Sequence, residues 1–212
     1  MPHSHFLPIA TSAVAEHAAS QAAAVDVWRI RGEAWRWVLA RYAGLPADSL
    51  PLVPDAYGKP RLAAPNAPGF NLSHSGEVVL LAIARGTEPG IDVEALRPRP
   101  RALQLAQRYF TAAEAAALAR RSETDCQQAF YQLWTAKEAV LKALGRGLAF
   151  GLDRVGFALA ADGTTVEPLD FQDAAAPASA WQLHALAPAP GRLGALAWRG
   201  AARTVRLFAL AD

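Results

Sequence analysis

The sequence predicts an α+β fold, in which helical segments and short antiparallel strands occur in both halves of the chain. Apolar side chains recur at helical spacing through residues 127–144, which predicts a long amphipathic helix. Residues 78–84 form a continuous apolar run of strand-forming side chains, which predicts a central strand. Since strand-like segments also follow the long helix, we predict a small antiparallel sheet packed on a helix in each half.

A basic, proline-rich segment divides the chain. Arg97-Pro-Arg-Pro-Arg101 interrupts the strand pattern, because proline is poorly accommodated inside a sheet. We therefore predict an N-terminal half of residues 1–96 and a C-terminal half of residues 97–212. A chain of 212 residues is long enough to bury a substantial core in this arrangement.

The composition is that of an ordinary globular protein, with 52% hydrophobic and 19% charged residues. The 21 Lys and Arg residues nearly balance the 19 Asp and Glu residues, which gives no reason to expect nucleic-acid binding. We find no signal-peptide pattern and no apolar run of membrane-spanning length, so no membrane association is predicted. The only cysteine, Cys126, has no partner for an intrachain disulfide, which favours a cytoplasmic location.

In the N-terminal half, residues 27–43 carry apolar side chains at helical spacing, with arginines between them, and Gly44 follows. This pattern predicts a helix that ends at Gly44. Its arginines form either a solvated face or a phosphate site, because a planar guanidinium binds phosphate with two hydrogen bonds. Short strands are predicted at residues 50–53 and 90–94, the second antiparallel to residues 78–84. Residues 1–25 show no clear pattern.

In the C-terminal half, Thr111 and Glu114 form a capping-box pattern that predicts a helix start. The long helix of residues 127–144 ends at Gly145. Its apolar stripe is expected to be buried, while an adjacent stripe with Glu138 and Lys142 faces a site. The later segments predict antiparallel strands with a hairpin turn at Asp162-Gly163; the strands are residues 155–159, 181–186, 193–198 and 205–210.

Three acidic residues stand out as candidate metal ligands. Asp92 and Glu94 point to the same face of their strand, about 6.8 Å apart along it. Glu138 lies one helical turn before Lys142, which by itself is an ordinary stabilising ion pair. Hard divalent cations prefer several carboxylate oxygens, and Mg²⁺ also keeps room for substrate phosphates. Together with Lys59 and the other basic residues, the three acids suggest metal-assisted chemistry at a phosphoanhydride.

The order of four motifs resembles that of the 4′-phosphopantetheinyl transferases, specifically their larger single-chain class. The motifs cover about half of the chain and are Tyr57-Gly-Lys-Pro60, Asn71-Leu-Ser-His-Ser75, Gly90-Ile-Asp-Val-Glu94 and Trp134-Thr-Ala-Lys-Glu-Ala-Val-Leu-Lys142 followed by Gly145-Arg-Gly-Leu148. The resemblance implies two similar α+β halves related by a pseudo-twofold axis, with coenzyme A in the cleft between them. It implies that phosphopantetheine moves from coenzyme A to a serine of an apo acyl or peptidyl carrier protein, leaving adenosine 3′,5′-bisphosphate.

The resemblance also implies roles for individual residues. Asp92, Glu94 and Glu138 would hold Mg²⁺ against the coenzyme A diphosphate. Glu138 is the first candidate for the base that takes the serine proton, and a metal-bound water is the alternative. Lys142 would stabilise charge on the phosphoryl oxygens.

The nucleotide and its phosphates would be held by a further set of side chains, namely Lys59, Ser73 and His74. A lone histidine at the start of a strand is otherwise a common structural hydrogen-bonder. In this family a basic residue of the first helix reaches the 3′-phosphate, and here several arginines compete for that role. We favour Arg31 and Arg36.

Carrier proteins of this kind are typically acidic, so a basic surface near the metal strand would attract them. Such a cluster follows that strand, formed by Arg97, Arg99, Arg101 and Arg108, although a solvated basic loop would have the same composition. The single-chain resemblance implies a monomer. Two other functions use the same residues: a metal-dependent phosphoesterase and a non-catalytic coenzyme A-binding protein.

Overall fold

The computed structural model describes residues 5–10, 13–19, 23–160 and 165–211. These ranges form a mixed α+β fold. The helices are Val14–Ala19 (α1), Ala34–Ala43 (α2), Ala102–Tyr109 (α3), Ala112–Ala119 (α4) and Glu123–Leu144 (α5). The strands are Leu7–Ile9 (β1), Ala24–Ile30 (β2), Leu52–Pro54 (β3), Pro60–Leu62 (β4), Gly69–Ser75 (β5), Val78–Ala84 (β6), Gly90–Ala95 (β7), Val155–Leu159 (β8), Val166–Phe171 (β9), Trp181–Leu186 (β10), Arg192–Arg199 (β11) and Thr204–Leu210 (β12).

Two larger sheets carry the fold. The first has the strand order β1-β12-β2-β6-β5, and the second has the order β10-β11-β7. Strand β12 runs parallel to both of its neighbours, whereas the other pairs in the two sheets are antiparallel. The hairpins β3-β4 and β8-β9 complete the architecture. A strand from the end of the chain therefore lies inside the sheet built by the N-terminal half.

The helix predicted over residues 27–43 is wrong in its first part. Strand β2 extends to Ile30, and α2 begins only at Ala34. Nearly all of β2 is buried on both faces, because the strand lies in the interior of the first sheet. Such a strand has no polar face to produce alternation, and its apolar residues happened to match the helical spacing of α2.

The predicted partner of β7 is also wrong. β7 pairs with β11, placing Asp92 opposite Ala195, instead of extending the sheet beside β6. Ile91 and Val93 pack beneath the first sheet in one hydrophobic cluster, with Val27 and other residues of β2 and β6. The second sheet therefore stacks on the first through β7, because this stacking buries both apolar side chains.

A buried ionic network fixes β12 in the first sheet. The Arg206 guanidinium donates hydrogen bonds to both carboxylate oxygens of Asp26, at 2.6 and 2.7 Å. The Tyr42 hydroxyl also donates to Asp26, at 2.6 Å, and accepts a hydrogen bond from the Trp28 indole. Asp26 is completely buried, so its charge is tolerated because each oxygen is paired.

Helix α5 is the central element of the C-terminal half. Ser122 caps its first turn by accepting a hydrogen bond from the Asp125 amide, and Gly145 ends it in the left-handed conformation. The helix is buried on most of its circumference, so the expectation of a single buried stripe was too narrow. It packs across β7 and β11, and a Cβ atom added at Gly90 would lie 1.9 Å from the Ala139 carbonyl oxygen. Glycine at position 90 therefore allows the close approach that brings β7 onto α5.

The strand predicted at residues 78–84 is confirmed, as is the capping box of Thr111 and Glu114. The C-terminal strands are confirmed within one residue at each end, although β12 is parallel to its partners and not antiparallel as predicted. The hairpin turn predicted at Asp162-Gly163 lies outside the described residues. Within the described ranges, no helix has both the length and the apolar character needed to cross a membrane.

Candidate active site

A pocket of about 430 Å³ opens where β5, β7, α5 and the start of α2 meet. It brings together five residues predicted from the sequence, which are Ser73, His74, Asp92, Glu94 and Lys142. The other lining residues are Gly32, Glu33, Trp35, Leu72, Val79 and Val93. Asp92 and Glu94 form what we call the acidic wall of the pocket. Because side chains alternate along a strand, these two residues lie on the same face of β7 as Gly90, which touches α5.

Lys142 links α5 to the acidic strand. Its ammonium nitrogen lies 2.7 Å from Asp92 Oδ1 and also donates to the Ser73 hydroxyl at 3.1 Å and the Ile91 carbonyl at 3.2 Å. The second oxygen of Asp92, Oδ2, is buried without a hydrogen-bond partner among the described residues. A buried carboxylate oxygen of this kind is costly unless it serves a ligand, because it has lost its water without replacement.

Burial and nearby negative charge raise the pKa values of Glu94 and Glu138. The pKa of Glu138 is raised to about 7, first by burial and then by the Asp92 carboxylate, while Lys142 opposes the shift. Burial also raises the pKa of Glu94, and Asp92 adds to this effect. The three carboxylates predicted as metal ligands therefore lie near enough to influence each other strongly.

This donor set fits a hard divalent cation by its chemistry. It offers two carboxylates that line the pocket, Asp92 and Glu94, and Asp92 has a buried oxygen without a partner among the described residues. Glu138 lies close enough for its charge to interact with both. The geometry is not that of a finished site, since no three His, Cys, Asp or Glu side chains in the described ranges are arranged to hold a metal ion. Lys142 instead occupies one oxygen of Asp92.

Ser73 and His74 have different surroundings, although they are neighbours in β5. Ser73 is buried, and its hydroxyl donates to Asp92 Oδ1 at 2.9 Å. The Ser73 hydroxyl oxygen in turn accepts hydrogen bonds from the Val93 amide and from Lys142. His74 is exposed at the pocket, where a ligand can reach its ring.

The other predicted phosphate ligands lie outside this pocket. The Lys59 ammonium is buried, donates to Glu88 and to the Pro89 carbonyl at 3.3 Å, and has a pKa lowered mainly by burial. Arg31 lines a separate cavity of about 540 Å³ beside the end of β2. Arg36 lies on α2 and covers the ring of Trp35, which itself lines the site pocket.

Two residues act on Glu94 without having been predicted to do so. Trp134 was expected only in the buried stripe of the helix, and Arg99 only in the basic surface for the carrier. Trp134 gives Glu94 a side-chain hydrogen bond, which opposes the rise in the Glu94 pKa. Arg99 lies over the rings of Phe130 and Trp134 and also acts on Glu94 through its charge. The spacing of Trp134, four residues before Glu138 and eight before Lys142, is the signal that could have placed it on this face.

Comparison with known proteins gives a consistent result. A family model described as the 4′-phosphopantetheinyl transferase superfamily matches residues 88–193. The chain is 35% identical to the 4′-phosphopantetheinyl transferase HetI of Nostoc sp. over 168 residues, which cover 78% of the chain and 67% of that relative. It is 34% identical to the 4′-phosphopantetheinyl transferase Sfp of Bacillus subtilis over 131 residues, covering 60% of the chain and 56% of the relative.

A third relative, the 4′-phosphopantetheinyl transferase AcpT of Salmonella typhi, is 38% identical over 88 residues, covering 42% of the chain and 46% of that protein. The chain thus matches between 46% and 67% of the length of these three relatives. The family model spans β7, α5 and their connections, so it includes Asp92, Glu94 and Glu138.

Proposed function

Because the chain belongs to the 4′-phosphopantetheinyl transferase superfamily, we propose that it transfers phosphopantetheine from coenzyme A to a serine of an apo acyl or peptidyl carrier protein. Adenosine 3′,5′-bisphosphate is the second product. The observation that supports this most directly is that Asp92, Glu94 and Lys142 line one pocket, while Glu138 lies close enough to Asp92 and Glu94 for their charges to raise its pKa. This arrangement would offer a place for a divalent cation, with the Lys142 ammonium group beside it.

Asp92, Glu94 and Glu138 would hold Mg²⁺, and the buried Oδ2 of Asp92 supports this because it has no other partner. A magnesium ion bound there would neutralise charge on the diphosphate of coenzyme A. Lys142 would turn from Asp92 towards the same phosphates, since its side chain is only partly buried. Its ammonium group would then stabilise the charge on the transferred phosphoryl oxygens.

Glu138 is the proposed general base. Without a bound cation the pKa of Glu138 is raised to about 7, mainly by burial, which makes it a better proton acceptor than an ordinary glutamate. A cation bound beside it would lower that pKa and favour the ionised form that accepts a proton. Glu138 would take the proton of the carrier serine as the serine oxygen attacks the phosphorus that bears pantetheine. The bond between that phosphorus and the bridging diphosphate oxygen then breaks, and the nucleotide leaves.

Four basic residues would provide the remaining contacts to the nucleotide, namely His74, Lys59, Arg31 and Arg36. The exposed position of His74 at the pocket supports a phosphate contact. Lys59 lies near the start of β7, through its hydrogen bond to Pro89, and would help to shape the nucleotide site. Arg36 covers Trp35, which lines the pocket, so it would approach a phosphate at this end. Arg31 lines the neighbouring cavity beside the end of β2, so it would reach a phosphate only on that side.

The partner would be an acidic carrier protein. Arg97 and Arg101 are exposed in the segment after β7, and Arg108 is exposed on α3, which supports electrostatic attraction of a negatively charged partner to this side of the protein. Four features remain predictions. The family resemblance implies a pseudo-twofold relation between residues 1–96 and 97–212, a nucleotide cleft between these halves, and a monomer. The sequence also favours a cytoplasmic location.

The test is direct. The protein is incubated with coenzyme A, Mg²⁺ and apo carrier proteins of the fatty acid, polyketide and nonribosomal peptide types, and each carrier is weighed by mass spectrometry. We expect the mass of at least one carrier to rise by one phosphopantetheine group. Unchanged carriers together with cleavage of a simple phosphodiester would favour a phosphoesterase. Unchanged carriers with tight coenzyme A binding would favour a non-catalytic binding protein.

A further inference from the structure

Side chains of β5 bond to the backbone of β7 in a regular series. Asn71 Oδ1 accepts a hydrogen bond from the Ile91 amide at 2.8 Å. The Ser73 hydroxyl accepts one from the Val93 amide at 3.2 Å, and the Ser75 hydroxyl accepts one from the Ala95 amide at 2.9 Å. We call these three bonds the side-chain ladder. Its members are spaced by two residues on both strands, so each bond joins the same face of β5 to the same edge of β7.

The ladder takes the place of a neighbouring strand. One edge of β7 pairs with the backbone of β11, while the amides of Ile91, Val93 and Ala95 point away from that pairing. β5 already uses its own backbone to pair with β6 in the first sheet. Side-chain oxygens therefore satisfy amides that would otherwise be buried without partners.

The middle member also reaches the acidic wall. A serine hydroxyl has one donor and two acceptor positions. In Ser73 the donor is used on Asp92, and the two acceptor positions are used by the Val93 amide and the Lys142 ammonium. The single hydrogen of the hydroxyl is thus used on Asp92, so Ser73 has no donor left for a phosphate, even when Lys142 turns away.

We propose that Asn71, Ser73 and Ser75 are positioning residues, which hold β7 so that Asp92 and Glu94 face the cation site. Ser73 in particular acts through Asp92 and Lys142 and does not contact phosphate. This inference rests on the proposed function and replaces the nucleotide contact predicted for Ser73. Ser73 and Lys142 both bond to Oδ1 of Asp92, so Oδ2 remains available for a ligand.

The ladder is suited to a local test, because β7 has other supports. It remains paired with β11, and Gly90 keeps its close contact with α5 when a ladder side chain is removed. The variants are Asn71→Ala, Ser73→Ala and Ser75→Ala, with Ser73→Thr to restore the hydroxyl. Ser49→Ala is the matched control, since Ser49 is exposed and the hydrogen bond of its hydroxyl among the described residues goes to Asp48, away from β7.

The first measurement is amide hydrogen exchange without metal or coenzyme A. Each alanine variant should raise the exchange rate of its own amide partner roughly tenfold, with smaller changes at the other two. The amides of Asp92 and Glu94, which lie on the β11 side, should stay protected, and Ser49→Ala should change none of them. Uniformly faster exchange across both sheets, or unchanged exchange of the three ladder amides, would contradict the proposal.

The second measurement separates positioning from substrate contact. Coenzyme A affinity is measured by calorimetry in EDTA, and the Mg²⁺ concentration for half-maximal transfer is measured with an apo carrier. We expect all three alanine variants to need roughly tenfold more Mg²⁺, with unchanged coenzyme A affinity and recovery in Ser73→Thr. Weaker coenzyme A binding in Ser73→Ala alone would restore the phosphate contact and overturn the inference.

The two proposals can fail separately. If the parent protein modifies no carrier, the transferase function is wrong, whereas the exchange pattern still reports on the ladder. If transfer occurs normally and Mg²⁺ dependence is unchanged in Asn71→Ala and Ser75→Ala, the ladder has no role in positioning the acids.

Discussion

Helix α5 carries two lysines five residues apart, and each forms an ion pair with an acidic residue. The two pairs differ in how many of their hydrogen-bonding positions are satisfied by the protein. Lys137 is 0% exposed, and its ammonium group donates to Glu114, to the Leu152 carbonyl and to the Val155 carbonyl. These three acceptors match its three hydrogens. Glu114 is equally satisfied, since its oxygens also accept hydrogen bonds from the amides of Thr111 and Phe157.

The pair formed by Lys142 and Asp92 is incomplete by comparison. The side chain of Lys142 is 26% exposed, and Asp92 keeps one buried oxygen without a partner. Glu138 lies near this pair, and its pKa is raised to about 7, first by burial and then by the charge of Asp92, which Lys142 opposes. A complete ion pair holds a fold together, whereas an incomplete one beside a pocket is ready to exchange partners with a ligand.

The largest effect should follow from breaking the complete pair. Lys137→Met leaves the Glu114 carboxylate buried without a counter-charge, and we expect a loss of about 3–5 kcal/mol in the free energy of unfolding. Lys142→Met is the matched control and should cost less than half as much, because the Lys142 side chain is already partly exposed. Chemical denaturation of both variants measures the difference, and equal losses would remove the distinction between the pairs.

The second effect concerns activity at the incomplete pair. Asp92→Ala removes one of three proposed Mg²⁺ ligands, so we expect the transfer rate to fall by roughly 100-fold or more. The fold should persist, because β7 keeps its backbone pairing with β11. Transfer assays over a range of Mg²⁺ concentrations, with circular dichroism as the folding control, test this. Turnover at the parental rate would mean that the cation lies elsewhere.

A third effect is the pH dependence of stability in the absence of metal. The pKa of Glu138 is raised from 4.5 to about 7 in the folded protein, so the folded state binds this proton more tightly than the unfolded state. Stability should therefore fall as the pH rises from about 4.5 to about 7, by about 2 kcal/mol. Glu138→Gln should remove this part of the slope. Unfolding curves measured across that range for both proteins would show it, and parallel curves would refute the assignment.

The smallest effect should come from the basic surface after β7. Changing the exposed Arg97 and Arg101 to Glu should weaken carrier binding by roughly tenfold at low salt, with a smaller effect at high salt. Coenzyme A affinity should hardly change. Arg99 is left intact, because its guanidinium covers Trp134 and acts on Glu94. Surface plasmon resonance at two salt concentrations provides the measurement, and equal losses for both ligands would assign the loop to the nucleotide site.

Local signals explain which parts of the structure could be predicted. The capping box at Thr111 and the periodicity of α5 depend on residues a few positions apart, so the sequence shows them directly. The grouping of Asp92 with Glu94 follows from strand alternation. The convergence of these acids with Glu138 came from the order of the motifs and not from spacing alone.

Non-local pairing explains what was missed. The match of β7 with β11 joins segments about one hundred residues apart, and no short-range pattern specifies it. The role of Ser73 depends on that pairing. Its hydroxyl can accept a hydrogen bond from the Val93 amide because β7 belongs to the second sheet and not to the first. β2 was taken for a helix because a strand buried on both faces shows no alternation.

The insertion of β12 between β1 and β2 has a consequence for synthesis on the ribosome. When residues 24–84 have emerged from the exit tunnel, β2 pairs with β6, but its other edge has no partner until residue 210 is made. At usual elongation speeds this interval is on the order of 10 seconds. During that time the nascent chain presents an open strand edge, a site at which trigger-factor-type chaperones or neighbouring nascent chains would compete with the final segment.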